Sequence, residues 1–494
     1  MKTILFIHRY LAVGVGILMV LWCLSGFVMM YQSYPSLGSE ERLNGLAPLE
    51  LGQCCELDAL QREDAAPLGG FRIEMLLDEP VLRLGGGGGR DPALNVLRLR
   101  SGTPQPALSE AEVLDVARRF GAGNGIAGTP RSLGVIDIDQ WTIQTARRNA
   151  PTYKIVFDDP RATEIYVSGT SGEVFQHTNR KVRILGWLGA VPHWLYPTIL
   201  RQDGALWTQI VIWTSIAGAF LAATGMYVGI MRVRRNRQGE LSSPFRGWWY
   251  WHHISGLIFG VLALTWVFSG LMTMNPWGAL SGDRGNPAYR NTIVGTATWG
   301  ELKQFLAAGV AGDYRQIQPA PFAGSLYLMA TRADGSEVRL NVNGEPAPLT
   351  DAEIQGVIAQ LPNQREVELL EREDSYYYGH KREAALPVWR VLMNDEGGTR
   401  LYIDRTTGSV RAVGSTGRLA RWIRSGLHDM DFPVLRIRPI WDVVVGLLLL
   451  GVTSLCMIGT WLAIKRVRLD FKLTKVRWRR RLAEAAAARA ASEG

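Results

Sequence analysis

Four of the seven histidines in this chain fall into a pattern that could do chemistry. His8 and His252 open two long apolar runs, and His193 and His428 each come just ahead of another. An ionisable side chain at membrane depth is costly to hold and marks a functional site by default. Haem iron takes two axial imidazoles from facing helices, and burial and hydrogen bonds to the rings tune its potential. With one pair of histidines at each side of a bilayer, the pattern predicts two stacked haem sites. His8 and His252 are the expected iron ligands of one, and His193 and His428 of the other.

A single interfacial histidine would be explained more simply as part of an aromatic belt, such as the one Trp248, Trp249, Tyr250 and Trp251 form here. Four at related positions call for more. The relation is an internal repeat. His8, Gly16, Trp22, Ser25 and Gly26 align without a gap with His252, Gly260, Trp266, Ser269 and Gly270, at an offset of 244 residues. Further on, YVSGTSGEV from Tyr166 resembles YIDRTTGSV from Tyr402. Trp187 and His193 align with Trp422 and His428 at an offset of 235, and Trp207 with Trp441 at 234. One unit of span, globular insert and second span is used twice. His253 aligns with Arg9, so it either binds a haem propionate or stands one residue off the ligand face. His177 and His380 lie in the inserts without repeat partners; His177 reads as a surface strand residue and His380 as part of a structural aromatic cluster.

The elements that position these residues are four apolar segments: Leu5 to Tyr31, Leu206 to Met231, Trp251 to Met274 and Trp441 to Ile464. Each is long enough to cross a bilayer as a helix, which takes about 20 apolar residues. Lys and Arg near span ends set orientation. Arg232, Arg234, Arg235, Arg237 and Arg246 fill the loop between spans two and three, and the tail reads KRVRLDFKLTKVRWRRR. Both termini and that loop are therefore expected in the cytoplasm, with the inserts in the periplasm of a bacterial inner membrane. The net charge of +9 comes largely from these flanks, which suits an anionic leaflet and makes nucleic-acid binding unnecessary. The expected organisation is a span at 1–31, an insert at 32–182, an interfacial segment and span at 183–236, a loop and span at 237–274, a second insert at 275–417, an interfacial segment and span at 418–468, and a basic tail at 469–494. MKTILFIHRY opens like a signal peptide. No A-x-A site follows, and its Ser-Gly pair recurs in an internal span, so it is expected to stay as span one.

The inserts read as α+β. SEAEVLDVARRF starts a helix with Ser109 as N-cap, and Thr350 to Leu361 reads as another. VLRLGGGGGRDPALNVLRLR reads as two strands joined by a flexible glycine loop, since no GK[ST] follows to make it a phosphate loop. Tyr153 to Val174 and Val388 to Val413 read as strands turning at glycines. The adjacent Cys54 and Cys55 are expected to be unbonded, leaving a free pair, a weak soft-metal site or, preferably, nothing of consequence. Neither HExxH nor CxxC occurs, and no GxGxxG joins a strand to a helix. Metal hydrolysis and a built-in nicotinamide or flavin domain are therefore set aside. Haem propionates would need cations: Arg9 and Arg246 on one side and Arg201, Arg436 and Arg438 on the other, each equally readable as a snorkelling anchor.

SYYYGHKREAALPVWRV, YIDRTTGSV, RWIRSGLHDMDFP and RPIWD together resemble the PepSY-associated transmembrane family of bacterial inner-membrane proteins over nearly the whole chain, with the Cys54-Cys55 pair as the main departure. The resemblance implies a four-span helical bundle with two α+β PepSY-like periplasmic inserts. It also implies kinship with haem-b reductases that act on siderophore-bound iron. The expected function is thus a di-haem b electron-transfer protein reducing a periplasmic acceptor, most simply a ferric siderophore or alternatively a periplasmic protein. Electrons would come from a membrane quinol or a separate cytoplasmic reductase. The rival expectation is a non-enzymatic PepSY protein that binds a periplasmic peptide or protein partner.

Overall fold

The computed structural model describes residues 2–52, 54–55, 63–85, 95–282, 284–310, 312–379 and 383–493. The five-glycine run beyond Gly85, and His380, lie outside the described residues. The chain divides into two compact units: a helical unit of residues 1–33, 187–280 and 422–494, and an insert unit of residues 34–186 and 281–421.

Four helices of the first unit are long and apolar enough to cross a membrane. They are α1 (Lys2–Met29), α2 (Gly204–Arg232), α3 (Trp248–Thr273) and α4 (Ile440–Glu493). Asp203 starts α2 by accepting the Ala205 and Leu206 amides at 3.0 and 2.9 Å, as an N-cap does. The basic tail continues α4 to Glu493, because its Ala, Leu, Arg and Lys are good helix formers. Met19, Cys23, Leu221, Ala263, Leu449, Val452 and Cys456 pack inside. Ile17, Trp213, Ile258, Val261 and Leu447 point outward, as helices surrounded by lipid require.

The repeat governs the packing. A Cβ placed on Gly16 of α1 would stand 2.5 Å from Thr460 Oγ1 of α4, and one on Gly260 of α3 would stand 2.9 Å from Met226 Cγ of α2. Gly16 and Gly260 are repeat mates, as are Met226 and Thr460. The first span of each copy therefore lies against the second span of the other, with bare glycine at the closest approach.

In the insert unit each copy contributes a three-stranded meander, a helix and a four-stranded meander. The first copy has β1 (Phe71–Leu76), β2 (Glu79–Leu84), β3 (Val96–Arg98), then β4 (Pro130–Ile136), β5 (Thr152–Phe157), β6 (Glu164–Ser168) and β7 (Val174–Thr178). The second has β8 (Tyr314–Pro319), β9 (Leu328–Arg332), β10 (Glu337–Leu340), then β11 (Gln364–Leu370), β12 (Val388–Met393), β13 (Arg400–Asp404) and β14 (Val410–Val413). The helices between them, Glu110–Gly123 and Asp351–Ile358, open on capping boxes, Ser109 with Glu112 and Thr350 with Glu353.

The sequence suggests two separate inserts, but here they fold as one unit. Strand β1 pairs antiparallel with β8, Ile73 opposite Ile317 and Glu74 opposite Gln316, which closes a six-stranded sheet of order β10-β9-β8-β1-β2-β3. Each three-stranded meander would otherwise expose an unpaired edge, and joining them satisfies both.

Each four-stranded sheet repeats one polar lock. Tyr166 donates its hydroxyl to Asp139 at 2.6 Å beside Lys154, which is 3.0 Å from the same carboxylate. Tyr402 does the same to Asp374 at 2.7 Å beside Arg390. Burial and the neighbouring carboxylate raise both phenols far above the ordinary range, so both remain donors. Cys54 and Cys55 depart from expectation: they form a disulfide, with α-carbons 3.1 Å apart bringing adjacent sulfurs within bonding reach.

Candidate functional site

His193 ends a short helix, Ala190–His193, in the segment that leads into α2, and His428 ends the wide turn Trp422–His428 in the segment that leads into α4. Their rings face each other with centroids 6.2 Å apart and planes inclined by 58°. Two imidazoles that bind one metal from opposite sides through bonds of about 2 Å hold their centroids roughly 6 Å apart. The observed separation fits that arrangement.

Hydrogen bonds orient both rings in the same way. Nδ1 of His193 lies 3.1 Å from the Trp22 carbonyl and 3.1 Å from Ser25 Oγ. Nδ1 of His428 lies 3.3 Å from the Trp266 carbonyl and 3.3 Å from Ser269 Oγ. The carbonyls require Nδ1 to carry the proton, which leaves Nε2 with its lone pair, and among the described residues nothing is hydrogen-bonded to it. A metal-binding histidine characteristically spends its other nitrogen on a carbonyl in this way.

Two indoles pin the segments that carry these rings. Trp207 of α2 donates Nε1 to the Trp194 carbonyl at 2.9 Å, and its mate Trp441 of α4 donates to the Asp429 carbonyl at 3.0 Å. Each bond ties the residue after a histidine to the helix that follows.

At the other end of the bundle, His8 lies against α2 and His252 against α4. A Cβ on Gly225 would stand 2.7 Å from His8 Cε1, and one on Gly459 would stand 2.5 Å from His252 Cε1. Gly225 and Gly459 are repeat mates at an offset of 234, so the same notch receives both rings. His8 Nδ1 is 3.2 Å from the Leu221 carbonyl and 3.3 Å from Thr224 Oγ1. His252 Nδ1 faces the Leu455 carbonyl, mate of Leu221, with geometry short of a regular hydrogen bond. His8 is within electrostatic reach of His252. Along α1, 17 residues separate His8 from Ser25, about 26 Å at 1.5 Å per residue, so the two histidine pairs are well apart.

His253 sits elsewhere. Its ring is buried, Nδ1 lies 2.8 Å from Ser243 Oγ and Nε2 lies 2.8 Å from the Gly229 carbonyl. Both nitrogens are engaged, so of the two neighbours His252 presents the open one. His177, on β7, pairs through Nδ1 with Glu41 at 3.1 Å, within the insert unit.

The expected propionate partners separate clearly. Arg9 is paired with Asp470 at 2.9 Å, Arg436 with the buried Asp431 at 2.8 Å, and Arg438 with Asp442. Arg246 is exposed. Arg201 lies over Trp207 at 4.5 Å and Tyr196 at 5.2 Å, and its buried Nε has no hydrogen-bond partner among the described residues.

The glycine notches and the two indole bonds were not read from the sequence. Extending the 234-residue offset forward from Trp207 and Trp441 through both second spans would have exposed Gly225 with Gly459. No protein-family model matches this chain, and no curated protein matches it.

Proposed function

We propose that this chain is a di-haem b electron-transfer protein of a bacterial inner membrane that reduces a periplasmic acceptor, most simply ferric iron held by a siderophore. The observation that carries the reading is the facing pair His193 and His428, 6.2 Å apart, with each Nδ1 engaged and each Nε2 open. His8 and His252 would hold the second iron, seated on Gly225 and Gly459. Both termini and the arginine-rich loop would be cytoplasmic, and the insert unit periplasmic.

Haem, when bound, supplies reversible one-electron chemistry. The chain's own residues bind and orient. The four imidazoles offer Nε2 as ligand. The Trp22, Trp266 and Leu221 carbonyls hold the rings of His193, His428 and His8 in the tautomer that ligation needs. The apolar bundle around Met19, Leu221 and Val452 keeps water away from the path between the two pairs. Arg201, with its unspent Nε, suits a propionate at the His193 end. Since no GxGxxG in the sequence joins a strand to a helix as a nicotinamide or flavin domain requires, a quinol or a separate cytoplasmic reductase would be the donor.

The test is the reduced-minus-oxidised spectrum of the full chain purified from haem-replete cells. Low-spin b-type bands and about two haems per chain are expected. A colourless protein overturns the reading.

A further inference from the structure

We propose that Ser25 and Ser269 are positioning residues for the imidazoles of His193 and His428, an assignment that rests on the haem reading above. A buried serine inside an apolar helix needs a reason. Ser25 is 1% exposed and Ser269 is fully buried, and a hydroxyl there could be satisfied by its own helix. Each does use its single proton that way: Ser25 Oγ donates to the Leu21 or Trp22 carbonyl at 2.8 and 3.0 Å, and Ser269 Oγ donates to the Trp266 carbonyl at 3.0 Å.

With the proton spent, the oxygen lone pairs face the rings, 3.1 Å from His193 Nδ1 and 3.3 Å from His428 Nδ1. The Nδ1–H of each ring is therefore shared between a carbonyl and a hydroxyl. The opposite arrangement, a hydroxyl donating to a bare Nδ1, would set that nitrogen's lone pair against the carbonyl oxygen at the same distance. Two acceptors hold a ring against rotation about its Cβ–Cγ bond better than one. They also draw the N–H proton outward, which makes Nε2 a stronger donor to a ferric ion. Gly26 and Gly270 complete the seat: a Cβ on Gly270 would stand only 3.2 Å from His428 Cε1, and one on Gly26 4.0 Å from His193 Cε1. The Ser-Gly pair shared by the two first spans is thus a seat for an imidazole.

The other end shows what its absence looks like. Thr224 gives His8 a hydroxyl at 3.3 Å, whereas the position related to Thr224 by the repeat is Ile458, and His252 Nδ1 has no regular partner among the described residues.

The test uses the full-length chain carrying Ser25→Ala or Ser269→Ala, with Ser454→Ala as control, since among the described residues Ser454 bonds only its own helix at Leu450. Haem content, potentiometric titration and the low-temperature electron paramagnetic resonance of the oxidised protein are read for each. Each serine serves a different ligand, so either variant carries the test if the other does not fold. The expected result is two haems in every variant, with the wave that His428→Ala removes shifted to higher potential and its resonance altered in Ser25→Ala or Ser269→Ala. The second wave and the Ser454→Ala protein stay as in the parent. Two haems with an unmoved wave and an unchanged resonance overturn the assignment and leave the haem reading standing. A parent protein without haem overturns both.

Discussion

His8 lies so close against Gly225 that a single methyl group on that glycine would stand 2.7 Å from the ring's Cε1. The added methyl would be fixed to the α2 backbone, so it is the His8 ring that must give way. Gly225→Ala, and equally Gly459→Ala beside His252, should displace an imidazole at the cost of overpacking, about 1–3 kcal/mol. Loss or high-spin conversion of one haem of two, with the other unchanged, is the expected spectrum. Two unperturbed low-spin haems would show that these rings are not ligands.

The pairing of histidines across the repeat is checked by removing one member of each pair. His428→Ala should lose the haem that His193 shares, and His8→Ala the haem that His252 shares, each leaving the other reducible by dithionite. If both variants lost the same haem, the two-layer arrangement would be wrong.

Trp207 and Trp441 make one indole hydrogen bond each to the segment holding a histidine. Trp→Phe keeps the ring and removes the donor, at a cost of about 1 kcal/mol. Amide exchange should quicken within residues 189–196 in Trp207→Phe and within 425–431 in Trp441→Phe. Exchange that stays at parental rates would leave the indole bond without a holding role.

Glu74 is buried in the six-stranded sheet between Arg83 and Arg42, the latter 3.0 Å away. Burial pushes this carboxyl up, but Arg83, Arg42 and Arg72 together pull it below the ordinary range. Ionised Glu74 therefore stabilises the sheet above the unfolded carboxylate pKa of about 4.3, and that stability is lost as pH falls through the lower folded value. Unfolding followed by exchange at β1 should be flat between pH 7 and 5 as far as Glu74 contributes, and should steepen below about 4. Glu74→Gln leaves two arginines unpaired and should cost about 3–5 kcal/mol at neutral pH. A cost near zero would mean that the arginines find other partners.

Sidedness is set by the arginines and can be read with fused reporters. One joined after Arg237 should report the cytoplasm and one near Gly335 the periplasm. The reverse pattern would put the insert unit, and the acceptor, on the other side.

The sequence alone determined the parts that depend on local composition and on the repeat. Four apolar runs, none with more than one formally charged residue, have few alternatives to being helices, and the offsets of 244 and 234–235 picked out His8, His252, His193 and His428 as a set. The helix starts at Ser109 and Thr350 were legible because the signals that begin a helix lie within about four residues. What the sequence left open was always a matter of phase or of a distant partner. His252 and His253 are adjacent on one helix, about 100° apart around its axis, and only packing against α2 and α4 decides which ring turns to Ser243 and which to Gly459. Arg9 looked free to serve a haem until α4, continuing past its expected end, brought Asp470 to it. Paired residues of β1 and β8 lie 242 and 244 apart in the chain (316 − 74 and 317 − 73), and neither strand carries a local mark of the other. Contacts of that range depend on how whole elements pack, which is why the tertiary structure, and not the residue pattern, decided the glycine notches, the composite sheet and the two hydroxyls facing the rings.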